Sequence, residues 1–121
     1  MALRLGMRFD GFDPVGETIE IAARAEAAGA NTIWMAEHLG YREAVVSCTA
    51  FLQNTSRAMV CPTAVMPYLW HPMPTAMQFA TMAELAPGHV TVEALPIKLQ
   101  AGGQPLDDRG AEGGSSWKPF L

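Results

Sequence analysis

Polar residues that could do chemistry follow three of the predicted β-strands of this 121-residue chain. They are Arg8, Asp10 and Asp13 after the first strand, Glu37 and His38 after the second, and the segment 63–71, TAVMPYLWH, after the third. In parallel sheets and barrels built of βα units, functional groups gather at the carboxyl ends of the strands. These three groups are therefore the candidate functional site.

The adjacent pair Glu37 and His38 carries the sharpest chemical signal. An imidazole beside a carboxylate at a strand end can exchange protons near neutral pH, which suits general acid–base chemistry. The same two residues could instead form a capping or hydrogen-bonded pair on the surface. The spacing alone does not separate the catalytic pair from the structural one.

Other kinds of site find no support in the spacing of the residues. Structural zinc sites pair their ligands about two to five residues apart, and His38, Cys48, Cys61 and His71 do not. The two cysteines are instead predicted to be small buried side chains in a reducing compartment. The sequence contains no GxGxxG or Walker loop and no GxSxG elbow, so neither a dinucleotide-binding loop nor a hydrolase nucleophile is indicated.

The elements that must position these residues alternate between strand and helix. Residues 3–9, LRLGMRF, alternate apolar and polar side chains, which places Leu3, Leu5, Met7 and Phe9 on the apolar face of a first strand. Further strands are predicted at residues 31–38, 57–65 and 89–95, and helices at 14–28, 43–55 and 72–86. This alternation with short loops predicts an α/β fold with a parallel sheet.

Several single residues carry local predictions. Asp13 is expected to cap the first helix, with Pro14 as its first residue and Gly29 just past its end. The predicted second helix has apolar residues at helical spacing, Val46, Ala50 and Phe51. Pro62 is awkward in the third strand, since a proline cannot donate a hydrogen bond to a neighbouring strand.

Composition and charge restrict the possible partners. The formal net charge is −4 and the pI is near 5.2, which gives no electrostatic footprint for nucleic acid. No uninterrupted apolar run approaches the roughly 20 residues of a membrane span. The N-terminal segment MALRLGMRFD lacks the apolar region of a signal peptide. We therefore expect a cytoplasmic protein that binds neither nucleic acid nor membrane.

Three segments of the sequence together resemble a known enzyme family. LRLGMRFDG, AARAEAAGANTIWMAEH and PTAVMPYLWHPMPTAMQFATMAELAPG, in this order, are similar to the N-terminal half of the luciferase-like oxidoreductases. The branch they resemble most uses the deazaflavin coenzyme F420 and includes methylenetetrahydromethanopterin reductase. The resemblance extends from residue 3 to about residue 92.

The resemblance implies a fold, a cofactor and a set of site residues. The βα units would form the first half of a (β/α)8 TIM barrel, with F420 or FMN over the strand ends and a small-molecule substrate beside it. A non-prolyl cis peptide after the third strand would back the cofactor ring, and Ala64–Val65 matches it best. The implied residues are Glu37 and His38 for catalysis, Thr63, Ala64, Val65, Met66 and His38 for the cofactor, and Asp10, Tyr68 and His71 for the substrate.

The chain departs from the family pattern at its fourth strand. His89 follows Gly88 where the family usually has an arginine, and the usual glycine-rich turn does not follow. We predict a truncated barrel domain over residues 1–95 and a divergent, disordered tail over residues 96–121. Because a whole barrel needs about 250 residues, two roles stay open. The chain is either an impaired oxidoreductase fragment, for hydride transfer or monooxygenation, or a non-catalytic fragment. Such a fragment would form a homo-oligomer or pair with a second half-barrel.

Overall fold

A computed structural model describes residues 3–65 and 69–94 of the protein. Its elements are β1 (Gly6–Phe9), α1 (Val15–Ala27), β2 (Thr32–Ala36), α2 (Ala44–Leu52), β3 (Met59–Val65), α3 (Pro72–Leu85) and β4 (Glu93–Ala94). The four strands form one sheet in the order β1-β2-β3-β4, and each neighbouring pair is parallel. The predicted α/β fold of parallel βα units is therefore confirmed. The predicted tail over residues 96–121 lies outside the described residues.

The register of the strands sorts their side chains onto two faces of the sheet. Ile33 of β2 stands opposite Val60 of β3, and both are completely buried on the face that the helices cover. Arg8, Trp34 and Cys61 stand in one row across β1, β2 and β3. Because successive residues of a strand alternate, this row lies on the opposite face. Only one face of the sheet therefore belongs to the helix-covered core.

The hydrophobic core lies between this face of the sheet and the helices. Phe51 of α2 is completely buried and packs against Phe9 of β1, with ring centroids 5.1 Å apart. Met82 of α3 is 1% exposed and belongs to the same cluster. Burial of one large apolar side chain contributes about 1.5–3 kcal/mol, so these contacts are what hold the helices on the sheet. Within residues 3–65 and 69–94, no helix has the length and apolar character needed to cross a membrane.

The first strand is shorter than its alternating sequence predicts. Pairing of β1 with β2 begins at Gly6, opposite Thr32. Leu3 and Leu5 precede this pairing and are 82% and 50% exposed, so their predicted place in the apolar face is wrong. The alternation identified the correct face, since Phe9 is buried there. It could not show where neighbouring elements stop covering the strand.

The two ends of α1 are terminated in different ways: the N-terminus has no side-chain cap, and the C-terminus ends at a glycine. Pro14 is the N-cap residue and α1 has no side-chain cap, so the predicted cap by Asp13 is wrong. At the other end, Gly29 has a φ of 103°, and the N–H of Ala30 donates to the carbonyl of Ala25 at 2.9 Å. This is the glycine-ended helix terminus that the sequence predicted.

Pro62 lies inside β3, which pairs with β2 on one side and β4 on the other. The segment before β4 pairs with this strand at Val60–Val90, and β4 itself pairs with it at Thr63–Glu93. Val60 uses its N–H and its carbonyl toward the β4 side, and alternate residues of a parallel strand face the same neighbour. The missing N–H of Pro62 therefore falls in the gap between the two pairings, which explains why a proline is tolerated there.

Sequence reasoning missed Glu26, a carboxylate of α1 that is only 8% exposed. It accepts hydrogen bonds from the backbone N–H groups of Ser56, Arg57 and Ala58 at 2.6–3.0 Å. These bonds tie α1 to the turn that precedes β3. Burial alone would raise the pKa of Glu26. The amide hydrogen bonds, with the Arg57 guanidinium nearby, outweigh burial and lower the pKa from its ordinary value of 4.5.

We expect Glu26→Gln to lower the free energy of unfolding at pH 7 by about 2 kcal/mol, because a charged acceptor is replaced by a neutral amide. A lowered folded-state pKa means that the wild-type advantage is fully present above the ordinary pKa of the carboxyl. The advantage is lost as the pH falls through the lowered value. Urea unfolding between about pH 3 and pH 7 measures this difference. Glu20→Gln, on an exposed position of the same helix, is the matched control. Equal urea midpoints for Glu26→Gln and the wild type at pH 7 would contradict the expectation.

Candidate functional site

The carboxyl ends of β1, β2 and β3 lie side by side at one edge of the sheet. Nδ1 of the His38 imidazole lies 2.6 Å from the backbone carbonyl oxygen of Asp10, which joins the ends of β2 and β1. The backbone N–H of Glu37 donates to the carbonyl of Thr63 at 3.2 Å, which joins the ends of β2 and β3. The fold therefore brings residues from all three sequence groups together, with Glu37 and His38 in the middle.

The imidazole of His38 is held in one orientation. A carbonyl oxygen only accepts hydrogen bonds, so Nδ1 of His38 carries the proton in its bond to Asp10. In the neutral ring, Nε2 is then the unprotonated nitrogen. The side chain is half-buried, and the ring of Phe12 packs beside it with centroids 4.9 Å apart. Nε2 is thus the ring atom that can exchange a proton with a bound molecule.

The carboxylate of Glu37 is used by helix α2. It accepts a hydrogen bond from the backbone N–H of Ala44, the first residue of α2, at 3.1 Å. Glu43, the N-cap residue, accepts from the N–H of Val46 at 2.5 Å. Two carboxylates thus serve the N-terminal amides of this helix, where the helix dipole favours negative charge. This geometry favours the capping alternative for Glu37, since Asp10 orients the imidazole.

The end of β3 is irregular. Regular pairing with β2 ends at Thr63, and the register with β4 shifts between Thr63 and Val65. A cis peptide bond joins Thr63 to Ala64, so the implied position at Ala64–Val65 is wrong by one bond. Thr63 and Ala64 are half-buried, whereas Val65 is 3% exposed and belongs to the core. Thr63 and Ala64 can present side chains to a ligand, and Val65 only its backbone. Met66 lies outside the described residues.

The described hydrogen bonds of His71 are local to the start of α3. It is the N-cap of α3, and its Nδ1 accepts a hydrogen bond from the N–H of Met73 at 3.3 Å. Nε2 therefore carries the proton in the neutral ring, which is the opposite arrangement to His38. The described contacts of His71 lie within the first turn of α3, and none of them joins it to His38. Tyr68 lies outside the described residues.

Sequence reasoning missed two aromatic residues beside His38. Phe12 lies in the loop after β1 and Tyr41 in the loop after β2, and their ring centroids are 4.7 Å apart in an edge-on arrangement. The carboxylate of Asp10 accepts the N–H of Phe12 at 3.1 Å and so fixes the first loop. A signal was present in the sequence, because each of the first two loops after a strand contains one aromatic residue.

The two cysteines are buried, as predicted, and no disulfide joins them. Burial raises the pKa of the Cys48 thiol well above its ordinary value, so this sulfur stays protonated and unreactive at neutral pH. In the part of the chain that the structure describes, no three His, Cys, Asp or Glu side chains are arranged to hold a metal ion.

A sequence profile of the luciferase-like monooxygenases matches residues 4–93, so the chain belongs to this family. Three solved structures share this fold, and the match covers only 28–33% of each of their chains. The coenzyme F420-dependent tetrahydromethanopterin reductase from Methanopyrus kandleri is 21% identical with a TM-score of 0.74. That match covers 81% of this chain and 28% of the reductase.

The two other structures are monooxygenases. The oxygenating constituent of 3,6-diketocamphane monooxygenase from the CAM plasmid of Pseudomonas putida, in complex with FMN, is 17% identical with a TM-score of 0.69. The match covers 96% of this chain and 33% of that one. Monooxygenase RslO1 from Streptomyces bottropensis is 20% identical with a TM-score of 0.64. That match covers 76% of this chain and 32% of RslO1. The implied family and the TIM-barrel type of α/β fold are confirmed, and this chain spans only part of such a barrel.

We expect Glu37→Ala to lower the free energy of unfolding by about 1 kcal/mol, because the N–H of Ala44 loses its acceptor and the start of α2 loses a favourable charge. Glu37→Gln should cost less, since an amide oxygen can still accept that bond. Urea unfolding followed by far-ultraviolet circular dichroism measures both variants. Glu37→Ala with wild-type stability would contradict the capping role.

Proposed function

We propose that the chain supplies the first βα units of an oxidoreductase that binds a flavin-type cofactor at the ends of β1, β2 and β3. The observation that carries this proposal is the position of His38. Its imidazole is anchored through Nδ1 to Asp10, and its strand end is bonded to Thr63 on the other side. Membership of the luciferase-like monooxygenase family supports the same conclusion.

The residues at this edge fit a planar redox ring. Thr63 and Ala64 have small side chains, so neither of them blocks a ring over the end of β3. His38 lies at the end of the neighbouring strand with its orientation already set, which lowers the ordering cost of binding. When bound, such a ring supplies hydride transfer or oxygen activation, and the protein supplies position and proton movement.

Each candidate residue takes a distinct part in this proposal. His38 accepts or donates a proton at Nε2 beside the ring, while Glu37 holds α2 and thereby the loop that carries His38. Thr63, Ala64 and the backbone of Val65 form the bed of the cofactor, together with Met66. Asp10, Tyr68 and His71 are assigned to the side of a small-molecule substrate. That list follows the implied family roles, with Glu37 moved from catalysis to positioning.

FMN and F420 are both candidates for the cofactor. The structure from Methanopyrus kandleri belongs to an F420-dependent enzyme, and the one from Pseudomonas putida contains FMN. The two cofactors share a planar three-ring system, and the residues described at the strand ends would meet this ring rather than the differing tails. Affinity for the ring alone should therefore be similar for both, and low.

We expect both FMN and F420 to change their fluorescence when the chain is added, with dissociation constants of about 10–1,000 μM, because the ring contacts supply only about 4–7 kcal/mol. His38→Asn keeps an N–H donor near the position of Nδ1, so it should bind within about threefold of the wild type. His38→Ala loses the bond to Asp10 as well and should bind more weakly.

The same series also separates binding from proton transfer. In any turnover assay with a cofactor, His38→Asn should lose about 100-fold or more in rate, since its amide cannot exchange a proton. Circular dichroism of each variant controls for folding. If the fluorescence of neither cofactor changes at about 500 μM of folded wild-type chain, the proposed cofactor role is wrong.

A second candidate role, self-association, is favoured by an apolar groove between α2 and α3. The groove encloses about 490 Å³. Val46 and Met77 line it and are 68% and 63% exposed. α2 contains no charged residue and α3 only Glu84. A face with almost no charge does not repel a second copy of itself, so we assign this groove to a copy of the same chain.

We expect light scattering to show a concentration-dependent mass above 13.0 kDa for the wild type, approaching twice that value. The double variant Val46→Lys with Met77→Lys should remain at 13.0 kDa, because two charges would be buried between the copies. Leu39→Lys, at an apolar residue that is 64% exposed outside the groove, is the control. An oligomer unaffected by the double variant would exclude this groove as the interface.

A further inference from the structure

Three rings stand together where the loops after β1 and β2 meet. Phe12 packs on His38 with ring centroids 4.9 Å apart and an interplanar angle of 31°. Tyr41 packs edge-on against Phe12, at 4.7 Å and 77°. We call Phe12, His38 and Tyr41 the aromatic wall. The wall stands on the β1 side of His38, whereas Thr63 and Ala64 lie on the β3 side.

The aromatic wall is exposed although its rings are large. Phe12 is 49% exposed and Tyr41 is 60% exposed. Contacts among the three rings leave about half of each of these two side chains open to solvent. Aromatic faces attract other rings in offset or edge-on arrangements, beyond the effect of burying apolar area. An exposed wall beside a proton-exchanging imidazole is therefore a surface on which a reacting molecule can bind.

The backbone holds the wall in place without a ligand. The N–H of Phe12 donates to Asp10, and the N–H of Tyr41 donates to the carbonyl of His38, each at 3.1 Å. Gly11 has a φ of 83°, and a Cβ atom there would lie 3.2 Å from the side chain of Met35. The positive φ favours glycine at this position, and the absence of a side chain lets the first loop lie close to Met35 of β2. The two loops are therefore ordered before a ligand binds, and binding costs little conformational entropy.

The charges around the wall indicate an uncharged ligand. Asp10 and Asp13 flank Phe12 in the first loop, and Arg42 follows Tyr41 in the second. These three side chains are exposed to solvent, which screens their charge.

The other two charged residues of the second loop, Glu37 and Glu43, are bonded to backbone N–H groups of α2. Carboxylates thus outnumber the single guanidinium, which disfavours an anion. The two half-buried carboxylates are already used by α2, which leaves them less available to a cation. The choice of ligand therefore depends on contacts with the ring faces of Phe12 and Tyr41.

We propose that the aromatic wall binds a planar, uncharged ring of the substrate by stacking on Phe12 and Tyr41, with the substrate beside Nε2 of His38. This inference rests on the proposed function, because it assigns the β3 side of His38 to the cofactor and the β1 side to the substrate. It makes Phe12 and Tyr41 residues that determine substrate class.

The experiment uses 2-naphthol as a planar neutral probe and its saturated counterpart, 2-decalol, as the matched non-planar control. Binding to the full chain without cofactor is followed by NMR through the His38 ring resonances. We expect 2-naphthol to shift these resonances and 2-decalol to bind at least about threefold more weakly. Phe12→Leu and Tyr41→Leu should each weaken 2-naphthol binding about threefold to tenfold, the effect of one stacked pair.

Two further variants separate stacking from general apolar character. Phe12→Tyr keeps a ring and should bind 2-naphthol like the wild type. Leu39→Ala removes an exposed apolar side chain from the second loop and should also leave binding unchanged. Equal binding of 2-naphthol and 2-decalol would overturn the inference. So would equal losses in Leu39→Ala and Phe12→Leu, or tighter binding of the anion 2-naphthoate than of 2-naphthol.

Titration of FMN with the same variants distinguishes this inference from the proposed function. Binding of 2-naphthol in a chain that binds no cofactor would leave the wall as a ring-binding surface and remove the oxidoreductase role. If FMN binds but 2-naphthol does not shift the His38 resonances, the proposed cofactor role stands and the aromatic wall is not a ring-binding surface. Loss of FMN binding in Phe12→Leu would show that the wall holds the cofactor, and would overturn its assignment to the substrate.

Discussion

Strand β2 pairs in parallel with β1 on one side and with β3 on the other, and the position of every described residue at the strand ends depends on this arrangement. Parallel pairing places the carboxyl ends of neighbouring strands at the same edge of a sheet. His38 can reach the carbonyl of Asp10, and Glu37 can reach Thr63, only because these three ends coincide. An antiparallel pair would have put one of the ends at the opposite edge.

Stability and function are served by different parts of the same sheet. The helix-covered face buries Phe51, Ile33 and Val60, and these apolar contacts hold the helices. The strand ends carry polar groups and open aromatic rings, which contribute less to the core. Glu37 connects the two parts, because its carboxylate serves the start of α2 while its backbone joins β2 to β3. A change at this residue therefore acts on the site through the fold.

Among the local predictions, the glycine end of α1 was confirmed and the aspartate cap was wrong. Among the predictions that depend on neighbouring elements, the parallel sheet was confirmed and the place of Leu3 in the apolar face was wrong. Gly29 ends α1 because only glycine adopts its positive φ easily, and this requirement can be read from the chain itself. Leu3 and Val46 fit the periodicity of an apolar face but are exposed, because no element among the described residues packs over them. Asp13 is a good capping residue by type, yet the loop places Pro14 at the N-cap position.

The amino-acid sequence by itself determined the alternation of strands and helices, the parallel sheet that follows from it, and the presence of polar residues after three strands. These properties depend on periodicity and on residues close together along the chain. Only the tertiary structure decided that Asp10 orients His38 across 28 residues, that Glu37 serves α2, and that Phe12 meets Tyr41. Contacts between separate loops depend on distances in three dimensions, and residue type and spacing do not contain those distances.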